Sequence, residues 1–200
     1  MSPARVALQI TLATAGALTV TALVGHAVMD ALLMPIALIT DTLSEVYTAQ
    51  VSWQPGTTDS VRITAQLFEG PLPLAPLGIY ASAEVKAAIH LQHALLPVVL
   101  LYTVLGAWPQ PAWRRRLVVM VAGVPAALLA VALTTPFLLA GKIEMLLQER
   151  SALAGIVRAE PAILRWMLFT EGGGRWLLAI VLALLVIALI DVVMPARTTR

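Results

Sequence analysis

Trp113-Arg114-Arg115-Arg116-Leu117-Val118-Val119-Met120-Val121-Ala122-Gly123-Val124-Pro125 opens a stretch that runs on to Gly141 without another charged residue. About 25 uncharged residues rising 1.5 Å each reach across a hydrocarbon core of roughly 30 Å. Three arginines held at one end of such a stretch set its orientation in a membrane. Similar stretches lie on either side. Residues 6–29 and 87–108 carry no Asp, Glu, Lys or Arg, and residues 176–195 carry Asp191 alone. Four spans are therefore expected, at about 6–29, 87–108, 117–141 and 176–195, within a single membrane domain covering residues 1–200.

The composition agrees. Of the 200 residues, 60% are hydrophobic and 12% charged, with a mean hydropathy of +0.88. Soluble domains average about 45–50% apolar and about 25% charged. With no cysteine, disulfides, thiolate metal sites, iron–sulfur clusters and cysteine nucleophiles are excluded. No basic face interleaved with aromatic residues is present, so nucleic acid is not an expected partner.

Charge placement gives the topology. Arg5 precedes the first span, Arg114–Arg116 lie between the second and third, and Arg197 and Arg200 follow the fourth. The two other connections hold both signs. The positive-inside rule then puts both termini and the arginine turn in the cytoplasm of a bacterial inner membrane. Trp108 and Trp113 flank that turn, and Trp166 and Trp176 mark the outer side, as an aromatic belt requires. The first span is read as a retained anchor, since its apolar stretch exceeds that of a signal peptide. It either extends outward past Asp30 or bends at Pro35.

The first outer connection carries a β-hairpin signal. Tyr47, Ala49, Val51 and Trp53 alternate with polar residues, as do Val61, Ile63, Ala65 and Leu67 after a Pro-Gly turn. An isolated hairpin is marginal in water, so its apolar face must rest on the helices or on a partner. Tyr47, Val51, Trp53, Val61, Ile63 and Leu67 are the candidate interaction residues. The segment Gly70–Gly78, with three prolines, excludes helix and leads the chain back toward the membrane. The second outer connection, about 142–172, has the composition of one or two short amphipathic helices. Pro161 suits a first helical turn, and Gly172-Gly173-Gly174 ends the segment.

One constellation could carry chemistry. His26 and Asp30 are i,i+4, and His90 and His93 are i,i+3, all near the outer boundary of the first two expected spans. Three imidazoles and a carboxylate, with Met29 and Met34 near, would suit copper, and two imidazoles could ligate haem. Against this, histidine is a common interfacial residue. Asp191 is within reach of Arg114–Arg116. No Gly-x-Ser-x-Gly, His-Glu-x-x-His or phosphate-binding glycine loop is present. An enzyme is not expected, nor is a bound cofactor; a copper- or haem-binding subunit using His26, Asp30, His90 and His93 is the alternative.

The order of pieces resembles the small integral membrane proteins encoded beside exosortases in bacteria with a C-terminal protein-sorting system. The matching pieces are the hairpin Tyr47–Leu67, Leu95-Leu96-Pro97-Val98-Val99-Leu100-Leu101, the basic turn Arg114–Arg116 and the span Trp176–Asp191. A Gly-Leu-Pro before the second span is lacking here. The resemblance implies an all-α membrane protein of four transmembrane helices with an extracytoplasmic β-hairpin and a short amphipathic outer segment. It also implies a non-enzymatic accessory subunit whose partners are the lipid bilayer and other integral membrane subunits. It brings no catalytic residues.

Overall fold

The computed structural model describes residues 3–43, 47–54, 59–67, 84–110, 112–153, 155 and 157–194. The chain is mostly helical. Its elements in order are α1 (Pro3–Thr42), β1 (Tyr47–Gln54), β2 (Ser60–Leu67), β3 (Glu84–His90), α2 (Leu91–Ala107), α3 (Trp113–Leu153), α4 (Ala162–Phe169) and α5 (Arg175–Val193). Among the described residues, three helices are long and apolar enough to cross a membrane: α1, α3 and the run Ala162–Val193. The fourth, α2, has 17 residues, about 25 Å of helix, at the lower limit for a span.

Three boundaries differ from the sequence reading. First, α1 stays helical through Pro35 for 40 residues, so Pro35 does not end it. Second, residues 87–90, expected inside a span, belong to the strand β3, and α2 begins only at Leu91. Val85, Ala87 and Ile89 continue the period-two pattern of the hairpin, but Ala88 on the opposite side makes the strand look like the start of an apolar run. Third, residues 142–153, expected as a separate amphipathic helix, continue α3 to a length of 41 residues. Glu144, Met145, Leu146, Leu147, Gln148, Glu149 and Arg150 are strong helix formers, with no Gly or Pro among them to stop it. Gly155 then takes a left-handed φ of 71°, and its N–H donates to the Ala152 carbonyl at 3.0 Å, a helix-ending geometry that glycine adopts without a Cβ penalty. Pro161 sits one position before α4, as its N-cap. The triple glycine forms a π-type turn, Thr170–Gly174, kinked at Gly173 with φ 112°. The Gly70–Gly78 segment and the Pro-Gly turn lie outside the described residues.

Two compact units can be distinguished. One comprises Met1–Gly25, Leu95–Val131 and Gly174–Arg200. Its core gathers Leu101, Leu105, Val119, Ala126, Ala179, Ala183, Val186, Ile187 and Ile190. Helices approach closely here. A Cβ on Gly106 would lie 3.1 Å from the Ala13 Cβ, and one on Gly123 would lie 2.5 Å from Leu105 Cδ1. Arg115 Nη2 donates to Asp191 Oδ1, so the lone acid of α5 is neutralised by the arginine turn.

The other unit comprises His26–Ala94 and Ala132–Gly173, and holds the sheet. Here a Cβ on Gly141 would lie 2.5 Å from the Met167 Cβ, so α3 and α4 touch nearly backbone to backbone. The indole N–H of Trp166 donates to the Leu133 carbonyl at 2.9 Å. That acceptor lies beside the turn in which Pro136 withholds an N–H from the helix ladder. The chain after Gly155 is pinned back onto α3. Arg158 Nη2 meets both oxygens of Glu144, at 3.1 and 3.3 Å, and Gln148 Nε2 donates to the Ala159 carbonyl at 3.0 Å. The Arg158 and Glu144 side chains are only 13% and 12% exposed.

Two packing predictions follow from these contacts. Gly141→Leu should cost about 1–3 kcal/mol by overpacking, whereas Gly16→Leu, with nothing within 4 Å of its Cβ position, should leave the thermal midpoint in mild detergent unchanged. Arg158→Met strands the Glu144 carboxylate and should cost about 3–5 kcal/mol; adding Glu144→Met should restore most of that loss in chemical denaturation.

Candidate interaction surface at the sheet

The three strands form one antiparallel sheet in the order β1-β2-β3. The register sets Val51 opposite Ile63 and Trp53 opposite Val61, then Val61 opposite Ile89 and Ile63 opposite Ala87. Odd-numbered residues therefore share one face, since side chains alternate along a strand. Tyr47, Val61, Ile63, Ala65, Val85 and Ile89 on that face are buried, while Val51 and Trp53 are half-buried. The even face carries Thr48, Gln50 and Ser52 of β1, all exposed. The hairpin matches the sequence expectation, with β3 as an unforeseen third strand.

Of the six candidate interaction residues, Tyr47, Val61 and Ile63 are thus buried within this chain. Leu67 lies in β2 with its side chain outside the described residues. The buried face serves the chain's own packing. The same unit buries Met29 and Ile36 of α1 and Ile143 and Leu147 of α3.

The two edges of the sheet are treated differently. At the β3 edge, Lys142 Nζ donates to the Ala88 carbonyl at 3.4 Å, and Lys86 pairs with Glu84 at 2.9 Å. At the β1 edge, the Ala49 N–H donates to the Asp41 carboxylate at 3.0 Å. These contacts also show which backbone groups point outward. Ala49 turns its N–H away from β2, so the alternation of an antiparallel ladder turns Val51 and Trp53 outward too.

All four residues singled out as metal ligands lie in described elements. His26 Nε2 lies 3.1 Å from Asp59 Oδ2, with side chains 51% and 37% exposed. The His26 ring also packs edge-on to Trp53 at 5.0 Å. His90 closes β3 and His93 sits in the first turn of α2, their ring centroids 6.5 Å apart. Asp30 is exposed on α1. Among the described residues, no three His, Asp or Glu side chains gather as metal ligands would. The partner that the sequence reading overlooked is Asp59, whose carbonyl also accepts the Leu91 N–H at 3.0 Å. Asp59 thereby ties the strand pair to the start of α2 and, through its carboxylate, to α1. Its only sequence signal is its place at the end of the Pro-Gly turn, where an aspartate ordinarily reads as turn chemistry.

No known protein family, curated protein or solved structure matches this chain.

The buried face provides a direct test. Ile63→Asp puts a carboxylate at a position with no exposure, a cost of several kcal/mol without a partner, and should abolish accumulation of the chain. Val51→Asp, at a half-buried position, should accumulate at a reduced but measurable level. Equal, wild-type accumulation of both on immunoblots would show that this face is solvated.

Proposed function

We propose that this chain is a non-enzymatic integral membrane subunit of a bacterial inner-membrane assembly. In this reading it crosses the membrane four times, with both termini in the cytoplasm and the sheet on the outer side. The observation that carries the reading is the exposure of large apolar side chains along the helices. Leu12, Leu23, Val121, Leu189 and Val192 are each more than 60% exposed, on surfaces that suit lipid and would be untenable in water. The charge pattern supports the orientation. The arginine turn and Asp191 neutralise each other at one end of the helices, where the positive-inside rule wants basic residues. The sheet, with an uncharged edge strand and a polar exposed face, is the part of the chain suited to meeting another polypeptide. The order of elements supports an exosortase-type protein-sorting system as the setting.

Because the sequence contains no cysteine, topology is open to single-cysteine labelling. Thr57→Cys and Gly173→Cys should react with a membrane-impermeant maleimide in intact cells. Gln110→Cys should react only after the membrane is permeabilised. Labelling of Gln110→Cys in intact cells with protection of Thr57→Cys would invert the orientation and remove the sheet from the outer side.

A further inference from the structure

We propose that the free edge of β1 pairs with β1 of a second copy of this chain, joining two three-stranded sheets into one of six strands. The inference rests on the membrane-subunit reading and names its first partner.

The argument begins with the backbone. The outward direction of the Ala49 N–H, fixed by Asp41, makes Val51 and Trp53 the next residues whose N–H and C=O leave the sheet. Among the described residues, none of these four backbone groups has a hydrogen-bond partner. Native edge strands are ordinarily blunted by a charge, a proline or a bulge. β1, Tyr47-Thr48-Ala49-Gln50-Val51-Ser52-Trp53-Gln54, has none of these, and its pairing with β2 is unbroken over all eight residues. The β3 edge is guarded by Lys142, Lys86 and Glu84.

The unfilled groups select a register. Antiparallel pairing about a two-fold axis at Ser52 brings Val51 opposite Trp53 of the second copy, twice over. Each such pair exchanges two N–H···O=C bonds, so all four unpartnered groups on each copy are used. The Ala49 N–H stays with Asp41, outside the paired stretch. On the odd-numbered face, Val51 and Trp53 are both half-buried in the single chain, and a β-branched residue opposite an aromatic one is a favourable cross-strand pair. On the even face, Ser52 meets Ser52, and no charge opposes a like charge.

Two further constraints favour a second copy over a foreign strand. Among the described residues only the β1 edge of each sheet is open, so isologous β1–β1 pairing closes at two copies and does not propagate. A two-fold axis perpendicular to the sheet also keeps the same face of both sheets turned the same way. Two copies inserted in one membrane with one orientation are related by an axis along the membrane normal, so this pairing requires each sheet to lie parallel to the membrane plane.

Ser52 provides the test. It would form a non-hydrogen-bonded pair with its own mate, with Cα atoms about 4.5 Å apart, inside the range a disulfide spans. Thr48 lies on the same strand and face, but its mate would be about 27 Å away along the strand direction. Ser52→Cys and Thr48→Cys are each introduced into the full chain and oxidised in isolated membranes. Ser52→Cys should form a disulfide-linked dimer with a yield roughly tenfold above Thr48→Cys. Adding Val51→Pro removes an outward N–H that the chain's own sheet does not use, and should abolish the cross-link. Independently, light scattering in mild detergent should give two copies for the wild type and one for Ser52→Lys, which opposes two ammonium groups at the axis. Equal yields from the two cysteine variants, a wild type of one copy, a cross-link that survives Val51→Pro, or a cross-link to a different polypeptide would each overturn the proposal. A single copy that stays with the membrane through carbonate extraction defeats the pairing alone. Recovery of the chain in the aqueous fraction defeats the membrane reading itself.

Discussion

The length of α1 and α3 is the constraint on which the remaining architecture depends. At 40 and 41 residues each is about 60 Å long, twice the thickness of a bilayer's hydrocarbon core. A helix that overruns a membrane by half its length carries side chains that lipid cannot cover. In the halves of these helices that belong to the unit holding the sheet, Met29 and Ile36 on α1 and Ile143 and Leu147 on α3 are buried. The sheet belongs to the same compact unit and contributes an equally apolar face. A hairpin alone would not be stable in water. A third strand and a set of helices that need cover make it so, and the helices and sheet each supply the burial that the other lacks.

In so apolar a chain, each polar group away from water needs a partner, and the partners serve as joints. The buried carboxylate of Glu144 holds Arg158 and Gln148, and with them the chain that leaves α3. Lys142, two residues before Glu144, reaches the β3 edge through the Ala88 carbonyl and lies 4.0 Å from Glu171. Asp41 secures β1 to the end of α1, and Asp59 joins the strand pair to α2. None of these contacts is between two exposed, freely moving charges alone, the class whose contribution is ordinarily small. Most involve a backbone group, which cannot move away without unmaking a strand or a helix end.

The features visible in the sequence are those governed by local periodicity. Alternation in Tyr47–Trp53 and Val61–Leu67 gave the hairpin, and the observed register keeps the apolar residues of both strands on one face, as a slip of one residue would not. The uncharged run after Arg116 gave α3, and Gly172–Gly174 gave the kink before α5. What escaped depends on residues far apart in the chain. β3 was hidden because Ala88 interrupts the alternation, so its strand character comes from pairing with β2. The C-terminal part of α3 was misjudged because scattered charges suggested a change of environment, while helix propensity was indifferent to that change. The histidines illustrate the same limit. His90 and His93, expected on one face of a single helix, are divided between the end of β3 and the first turn of α2, and His26 meets Asp59 and Trp53 through tertiary contacts that spacing does not encode.

Glycine placement carries the comparison of helix and sheet one step further. At Gly106, Gly123 and Gly141 a neighbouring side chain occupies the space that a Cβ would need. Lipid tails are as apolar as leucine, so helices gain little by hiding apolar surface from them and associate instead through close van der Waals contact. Small residues at crossing points are the means to that contact. The sheet works by the opposite rule, since its strands are held by backbone hydrogen bonds and by burial of large side chains such as Ile63 and Ile89. Within one chain, two kinds of cohesion are therefore at work, one suited to lipid and one to water. A substitution that adds volume should injure the helices most, and one that adds charge should injure the sheet most. That division locates recognition as well. Apolar helix surfaces offer a partner shape but few polar groups, whereas a sheet edge offers directional backbone donors and acceptors, from which a specific register can be chosen.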